Sequence, residues 1–279
     1  MRTPNSLQPL LNEGIVDEVL RPLRSGKEAQ VYLVLSGGEE RVAKVYKEAD
    51  QRSFKHRTDY TEGRRTRNSR DARAVAKGSR HGKSQEEAAW RSAEVDMIYR
   101  LRDAGVRVPI PHHFQDGVLV MELVKDADGD PAPRLGEVEM DGDAAQELFQ
   151  QLIREVVKML CAGVVHGDLS DFNVLLSADG PVLIDFPQSF DAAANQGARD
   201  ILLRDVENLN HFLLGFGPTD QPLQHAAEMW DLYARGELKP DSPLTGRHQP
   251  SDARVDLGGL LAELAADEQD ELRRRGAPR

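Results

Sequence analysis

One cysteine, Cys161, stands among 279 residues, so no intramolecular disulfide framework holds this chain together. It follows Met159 and Leu160 in a helical pattern, where a small buried apolar side chain is expected. No uninterrupted apolar run is long enough to cross a bilayer. Met1 to Glu13 lacks the basic-then-apolar order of a secretory signal. These absences together lead us to expect a cytoplasmic protein with no membrane partner. No internal repeat is evident, which excludes a solenoid.

What is present fits a soluble globular chain, with 39% hydrophobic and 30% charged residues. The net charge of −11 is unevenly spread: residues 52–83 carry eleven Lys or Arg against three acids, a net of +8, so the rest carries −19. A basic block in an acidic protein usually faces an anion. The block lacks a sustained apolar period, and we expect it to be mobile or ordered only by a ligand.

The order of elements suggests a fold. A short helical pattern occupies residues 1–23, ending near Pro22. Ala29–Leu35 and Arg41–Lys47 read as two strands joined by Ser36-Gly37-Gly38. After the basic block, Ser84 with Glu87 three residues on forms a capping box, opening a helix that Gly105 ends. Val118–Val124 reads as a strand, and the acidic, Pro- and Gly-containing stretch Lys125–Pro133 as a linker. Leu148, Leu152, Val156 and Leu160 mark a helix over 143–162. The loop His166–Asn173 follows, then strands 174–176 and 182–186, then helices over 199–214 and 221–235. The result is an α+β, two-lobed arrangement: an N-lobe (1–124) with a small antiparallel sheet, a linker (125–135), a mostly helical C-lobe (136–266) and a charged tail (267–279). A cleft between lobes is a natural ligand site.

The chemistry concentrates in His166-Gly167-Asp168-Leu169-Ser170-Asp171-Phe172-Asn173. Asp168 and Asn173 are five apart, the spacing of a kinase catalytic loop. A carboxylate there meets an incoming hydroxyl, and an amide oxygen five residues on reaches a metal on nucleotide phosphates. Twelve residues later Asp185 ends the apolar run Val182-Leu183-Ile184, where a second oxygen ligand is needed. Asp and Asn also favour turns, so each alone is a turn residue. Their order and spacing together are what point to phosphoryl transfer.

Lys44 lies in Val42-Ala43-Lys44-Val45-Tyr46, where alternation puts Val42, Lys44 and Tyr46 on one face. A lysine holding phosphates needs a carboxylate beside it. Glu94 is four residues from both Trp90 and Ile98, so it falls inside the apolar stripe of the preceding helix, whereas Asp96 falls outside it. A glutamate on a buried face needs a partner, and Glu94 is expected to pair with Lys44. No G-x-G-x-x-G precedes the first strand; instead Ser25, Gly26 and Lys27 offer amides, a hydroxyl and an ammonium for phosphate.

These residues resemble the RIO-type atypical serine protein kinases, closest to the type-1 branch. The resemblance covers roughly residues 20–215 and rests on Ser25-Gly26-Lys27-Glu28-Ala29, V-A-K-V-Y-K at 42–47, Pro131-Ala132-Pro133-x-Leu135, the H-G-D-L-S-D-F-N loop and Ile184-Asp185-Phe186-Pro187-Gln188-Ser189. The last motif, D-F-P-Q in place of D-F-G, is the most specific. The resemblance implies a trimmed kinase fold without an activation loop, and no A-P-E follows Asp185. It implies ATP with Mg2+ or Mn2+ as cofactors, Lys44 on phosphates, Glu94 orienting it, Asp168 as base, Asn173 and Asp185 as metal ligands, and Glu122 and Val124 beside Met121 as adenine contacts. It further implies serine phosphorylation of a protein substrate or of the chain itself, and ATPase activity through phosphorylation of Asp185. Two other readings stay open. One is a small-molecule kinase of the aminoglycoside or choline type, which shares H-G-D with an Asn five residues on. The other is an ATP-gated module that docks on RNA or a ribosomal particle through residues 52–83.

Overall fold

Alternating β-branched and aromatic residues build the sheet at the N-terminal end of the chain. The computed structural model describes residues 4–26, 29–47, 94–217 and 224–248. Strands β1 (Glu18–Ser25), β2 (Ala29–Ser36), β3 (Glu39–Tyr46), β4 (Pro111–Gln115) and β5 (Val118–Glu122) form an antiparallel sheet in the order β1-β2-β3-β5-β4. The β2–β3 turn places Gly37 and Gly38 at φ 61° and 78°, and the β4–β5 turn places Asp116 and Gly117 at φ 49° and 75°. Both hairpins thus use two residues at positive φ, which matches the twist of the flanking strands.

One expectation changes here. The helical pattern over 1–23 resolves into a short helix, α1 (Gln8–Asn12), a glycine turn at Gly14, and then β1. Pro22 does not end a helix; it sits in β1, between two register shifts. A proline is tolerated there because β1 is an edge strand, where a missing N–H removes no ladder bond. The segment 125–133, expected as a linker, carries its own hydrogen bonds. Lys125 bridges Pro131, the Asp126 carboxylate accepts from the amides of Asp128 and Asp130, and the Val124 carbonyl accepts from Ala132 N–H. Leu176 N–H donates to Pro133, which ties this hairpin to the strand pair that follows.

The sheet has two buried faces. Ala43, Val45, Val118 and Val120 pack under α1 with Leu7 and Leu10. On the opposite face Tyr46 and Leu119 join Val95, Ile98 and Leu101 of helix α2, described over 94–103. The remaining core is helical. α3 (Gly142–Cys161) buries nine residues and is capped by Asp141, whose side chain accepts from Ala144 N–H at 2.8 Å. Cys161 is partly buried against this core, and burial raises its thiol pKa. α4 (Ala198–Leu213) and α5 (His225–Ala234) complete the helical part. Short antiparallel pairs, β6 (Val164–Val165) with β9 (Phe190–Asp191) and β7 (Val174–Ser177) with β8 (Gly180–Leu183), carry the loops between α3 and α4. The N-terminal residues through Arg247 form one compact unit. Among the described residues no helix is long and apolar enough to cross a membrane.

Candidate active site

Three charged side chains from three elements meet on one face of β3. Lys44 Nζ donates to Glu94 Oε1 at 2.8 Å and to Asp185 Oδ1 at 2.7 Å. The β3 pleat points Lys44 and Tyr46 to this face, and Lys44 Nζ lies 5.1 Å from the Tyr46 ring centroid. Lys44 is 9% exposed and Glu94 3%, so the pair is shielded from water. Burial acts to lower the Lys44 pKa, but the charges of Asp185 and Glu94 outweigh it and hold the ammonium well above its ordinary value. At Asp185 burial pushes the carboxyl up, and the charge and hydrogen bond of Lys44 reverse this and hold it below the usual range.

Asp185 lies beyond β8 rather than inside a strand to 186, and its φ is 70°. A non-glycine residue in the left-handed region is strained, and such strain persists only where surrounding contacts impose it. Here Lys44 holds its side chain, Ile184 N–H donates to Asn173 O before it, and Phe186 after it is buried against His166, ring centroids 5.1 Å apart.

His166 organises the loop that faces Asp185. Its Nε2 lies 3.1 Å from Ile184 O and its Nδ1 accepts from Asp168 N–H at 3.3 Å. These partners set the Nε2–H tautomer, and burial lowers the pKa to about 4, so the ring is neutral near pH 7. Asn173 Nδ2 donates to the Asp168 carbonyl at 2.8 Å, closing the loop and leaving its amide oxygen as a donor atom for a metal. Asp168 itself opens to solvent; partial burial and then the Asp185 charge raise its pKa. Ser189 Oγ donates to His166 O at 3.0 Å and ties the segment after Asp185 to the same loop.

α4 grips this loop through its backbone. Asp205 is 1% exposed and accepts from Gly167 N–H at 2.7 Å and Leu169 N–H at 3.2 Å. Arg204 Nη2 donates to Gly167 O at 2.7 Å, and Asn208 Nδ2 to Leu169 O at 3.1 Å. Burial pushes the Asp205 carboxyl up to about 7. Between the unfolded carboxylate value of about 4 and this value the folded chain binds the extra proton, so this group lowers stability as pH rises across that window. Asp205→Asn sets an NH2 against one of two backbone N–H groups and is expected to cost about 1–3 kcal/mol. It should also flatten the fall in thermal midpoint between pH 5 and 8; a midpoint profile identical to wild type would contradict both.

The other expected site residues fall as follows. Met121 and Glu122 end β5, half-buried, and Glu122 Oε2 accepts from Ile110 N–H at 3.0 Å. Val124 is buried two residues on, with its carbonyl occupied by Ala132, which leaves its amide side for a ligand edge. Ser25 ends β1 opposite Gln30 and is exposed. Gly26 N–H donates to Ala29 O at 2.9 Å and Gly26 O accepts from Lys47 Nζ at 2.6 Å. Lys27 and Glu28, the capping box Ser84–Glu87, Trp90, the basic block 52–83 and the tail 267–279 lie outside the described residues. A divalent cation fits the donor set: Asn173 offers an amide oxygen and Asp185 a carboxylate oxygen beyond the one on Lys44. Hard and few, they suit Mg2+, which takes its other oxygens from phosphates and water.

The described geometry agrees with three comparisons. The family described as RIO domain matches residues 30–224. The RIO-type serine/threonine-protein kinase Rio1 of Haloferax volcanii is 36% identical over 209 residues, 74% of this chain and 67% of that protein. The human serine/threonine-protein kinase RIO1 is 33% identical over 270 residues, 96% of this chain but 44% of that protein, so this chain spans less than half of it. In fold, the chain resembles the crystal structure of the Rio2 kinase-ADP/Mg2+-phosphoaspartate complex from Chaetomium thermophilum, with a TM-score of 0.58 at 20% identity over 96% of this chain and 74% of that one.

Proposed function

The chain belongs to the RIO domain family, and on that premise we propose that it is an ATP- and Mg2+-dependent serine/threonine phosphotransferase of the type-1 branch. The carrying observation is the buried Lys44 shared between Glu94 and Asp185, with Asp168 and Asn173 on one rigid loop beside it. Lys44 holds the α- and β-phosphates, with Glu94 fixing its reach. The adenine edge lies against the backbone at Glu122 and Val124, next to Met121. Ser25 and Gly26, with Lys27 next in sequence, offer amides, a hydroxyl and an ammonium to the phosphates. When bound, the cation neutralises phosphate charge, and Asn173 and Asp185 hold it. Asp168 takes the proton of the acceptor hydroxyl. The acceptor is a serine of a protein substrate or of the chain itself.

The same site supports a second outcome. An Asp185 carboxylate oxygen attacks the γ-phosphorus, the bond to ADP breaks, and an aspartyl phosphate forms that water later hydrolyses. The neighbour in fold is itself a phosphoaspartate complex, which supports this reading. Wild type exposed to γ-labelled ATP is expected to carry label that hydroxylamine removes, and Asp185→Asn to carry none of it. Label resistant to hydroxylamine and confined to serine would refute the acyl phosphate and leave the kinase reading standing.

The basic block supports an RNA or ribosomal partner. Arg64, Arg65, Arg67, Arg70 and Arg73 lie within ten residues and repel one another without an anion. Replacing all five with alanine is expected to weaken binding to ribosomal RNA and to make its salt dependence shallower, by about 0.9 in the log–log slope per lost phosphate contact. Equal affinity and slope in both proteins would remove RNA as the partner.

A further inference from the structure

The loop His166–Asn173 carries two aspartates and no lysine or arginine, and Asp185 adds a third carboxylate across from it. Negative charge develops on the outer oxygens of a phosphoryl group in flight, and a site that moves one needs fixed positive charge around it. Lys44 is already committed between Glu94 and Asp185, on the nucleotide side. The acceptor side, where Asp168 stands, draws no cation from its own loop.

α4 brings one. Arg204, the residue before the buried Asp205, donates Nη2 to the carbonyl of Gly167, the residue before Asp168, at 2.7 Å. Its side chain stays 50% exposed, while that of its neighbour Asp205 is 1% exposed, with 3.9 Å between the two groups. Helical geometry thus splits an Arg-Asp pair: the carboxylate goes inward to the loop amides, and the guanidinium stays half-exposed on the Gly167 carbonyl. A guanidinium carries its charge in one rigid planar fork, so seating Nη2 on the Gly167 carbonyl fixes where that charge stands beside the loop. A lysine or arginine needed only for solubility would not be anchored to the catalytic loop's backbone.

We propose that Arg204 is the cation of the acceptor side, positioning Gly167 and Asp168 through its hydrogen bond and supplying positive charge to the phosphoryl group during transfer. In that step the bond from phosphorus to the ADP oxygen breaks, the bond from the serine oxygen forms, and the serine proton passes to Asp168. The assignment rests on the phosphotransferase reading above.

Charge and hydrogen bonding separate in two variants. Arg204→Gln keeps a donor for Gly167 and loses the charge; Arg204→Lys keeps the charge and loses the fork. Single-turnover labelling of the protein's own serines from γ-labelled ATP is the readout, with Mg2+-ATP affinity measured beside it. Arg204→Gln is expected to slow transfer about 100-fold, the loss typical of one transition-state donor, while Arg204→Lys stays within about 10-fold of wild type. Nucleotide affinity should stay within about 3-fold in both, because uniform binding is untouched. Equal rates for the two variants would overturn the charge role and leave Arg204 a backbone clasp. If Arg204→Gln folds poorly, Arg204→Ala with and without added guanidinium at millimolar concentration asks the same question: recovery of rate supports the proposal, and no recovery overturns it. A wild type that transfers no phosphoryl group would overturn this proposal together with the reading beneath it, whereas an active wild type matched by Arg204→Gln overturns this proposal alone.

Discussion

Asparagine in place of Asp168 is expected to slow phosphoryl transfer by about a hundred- to ten-thousand-fold, the range for losing a general base, while ATP binding changes by no more than a few-fold. The geometry makes the prediction sharp. The Asp168 backbone is held from outside its own side chain, by His166 Nδ1 on its N–H and by Asn173 Nδ2 on its carbonyl. The flanking Gly167 and Leu169 are fixed by Asp205. The carboxylate itself accepts only a long bond, from Asn173 Nδ2 at 3.5 Å, which the oxygen of an isosteric amide can keep, so the loop stays where it is. The nucleotide side, with Lys44, Glu94 and Asp185, makes no bond to the Asp168 carboxylate. What the amide cannot do is accept the hydroxyl proton. Single-turnover transfer and equilibrium nucleotide binding, measured on the same purified variant, test the split. Transfer at the wild-type rate would remove Asp168 from the mechanism.

The reach of the sequence differs from element to element for identifiable reasons. β2, β3 and α3 are long, strongly periodic and buried on a full face, so their pattern is dictated by the core they enter. β1 escaped because it is an edge strand with two bulges and a proline, and its residues are mostly exposed. β4 escaped although Asp116-Gly117 is a strong hairpin signal; Pro111 and the adjoining bulge interrupt its alternation. The site follows the same logic. Glu94 is legible because a carboxylate inside an apolar helical stripe demands a partner. Asp205 sits in such a stripe too, between Leu202, Val206 and Leu209, all buried, and the same demand would have found it. Its partners are backbone amides of Gly167 and Leu169, which carry no mark in a sequence. Arg204 was hidden for a related reason: its contact is a carbonyl, and its neighbour in space lies 37 residues away.

Methionine at position 44 is the second large effect, and it acts on stability as well as on chemistry. Lys44 is the partner of Glu94, whose side chain is 1% exposed, and of Asp185, at 37%. Removing the ammonium strands Glu94 with no compensating charge, while water still reaches Asp185. Breaking a buried pair by deleting one member costs about 3–5 kcal/mol, more than the net worth of the pair, because the orphaned charge remains desolvated. Lys44→Met should therefore unfold at lower denaturant and bind Mg2+-ATP weakly, with transfer lost. Adding Glu94→Gln removes the stranded charge and should return a large part of the stability but none of the activity, a coupling that a double-mutant cycle reads directly. The pH course follows from the two shifts. The raised Lys44 pKa contributes stability that is full below the unfolded value of about 10.4 and is lost as pH rises through the folded value. The depressed Asp185 pKa contributes stability present above the unfolded value of about 3.9 and lost as pH falls through the folded value. Between pH 5 and 9 neither group changes charge in wild type, so a deficit of Lys44→Met that shrinks toward pH 5 reports a proton taken up by the stranded carboxylate. Chemical denaturation of wild type, Lys44→Met and the double variant at pH 5, 7 and 9 measures it. A single variant as stable as wild type, or a double variant no more stable than the single, would mean that Glu94 finds another partner and that Lys44 is held for its ligand alone.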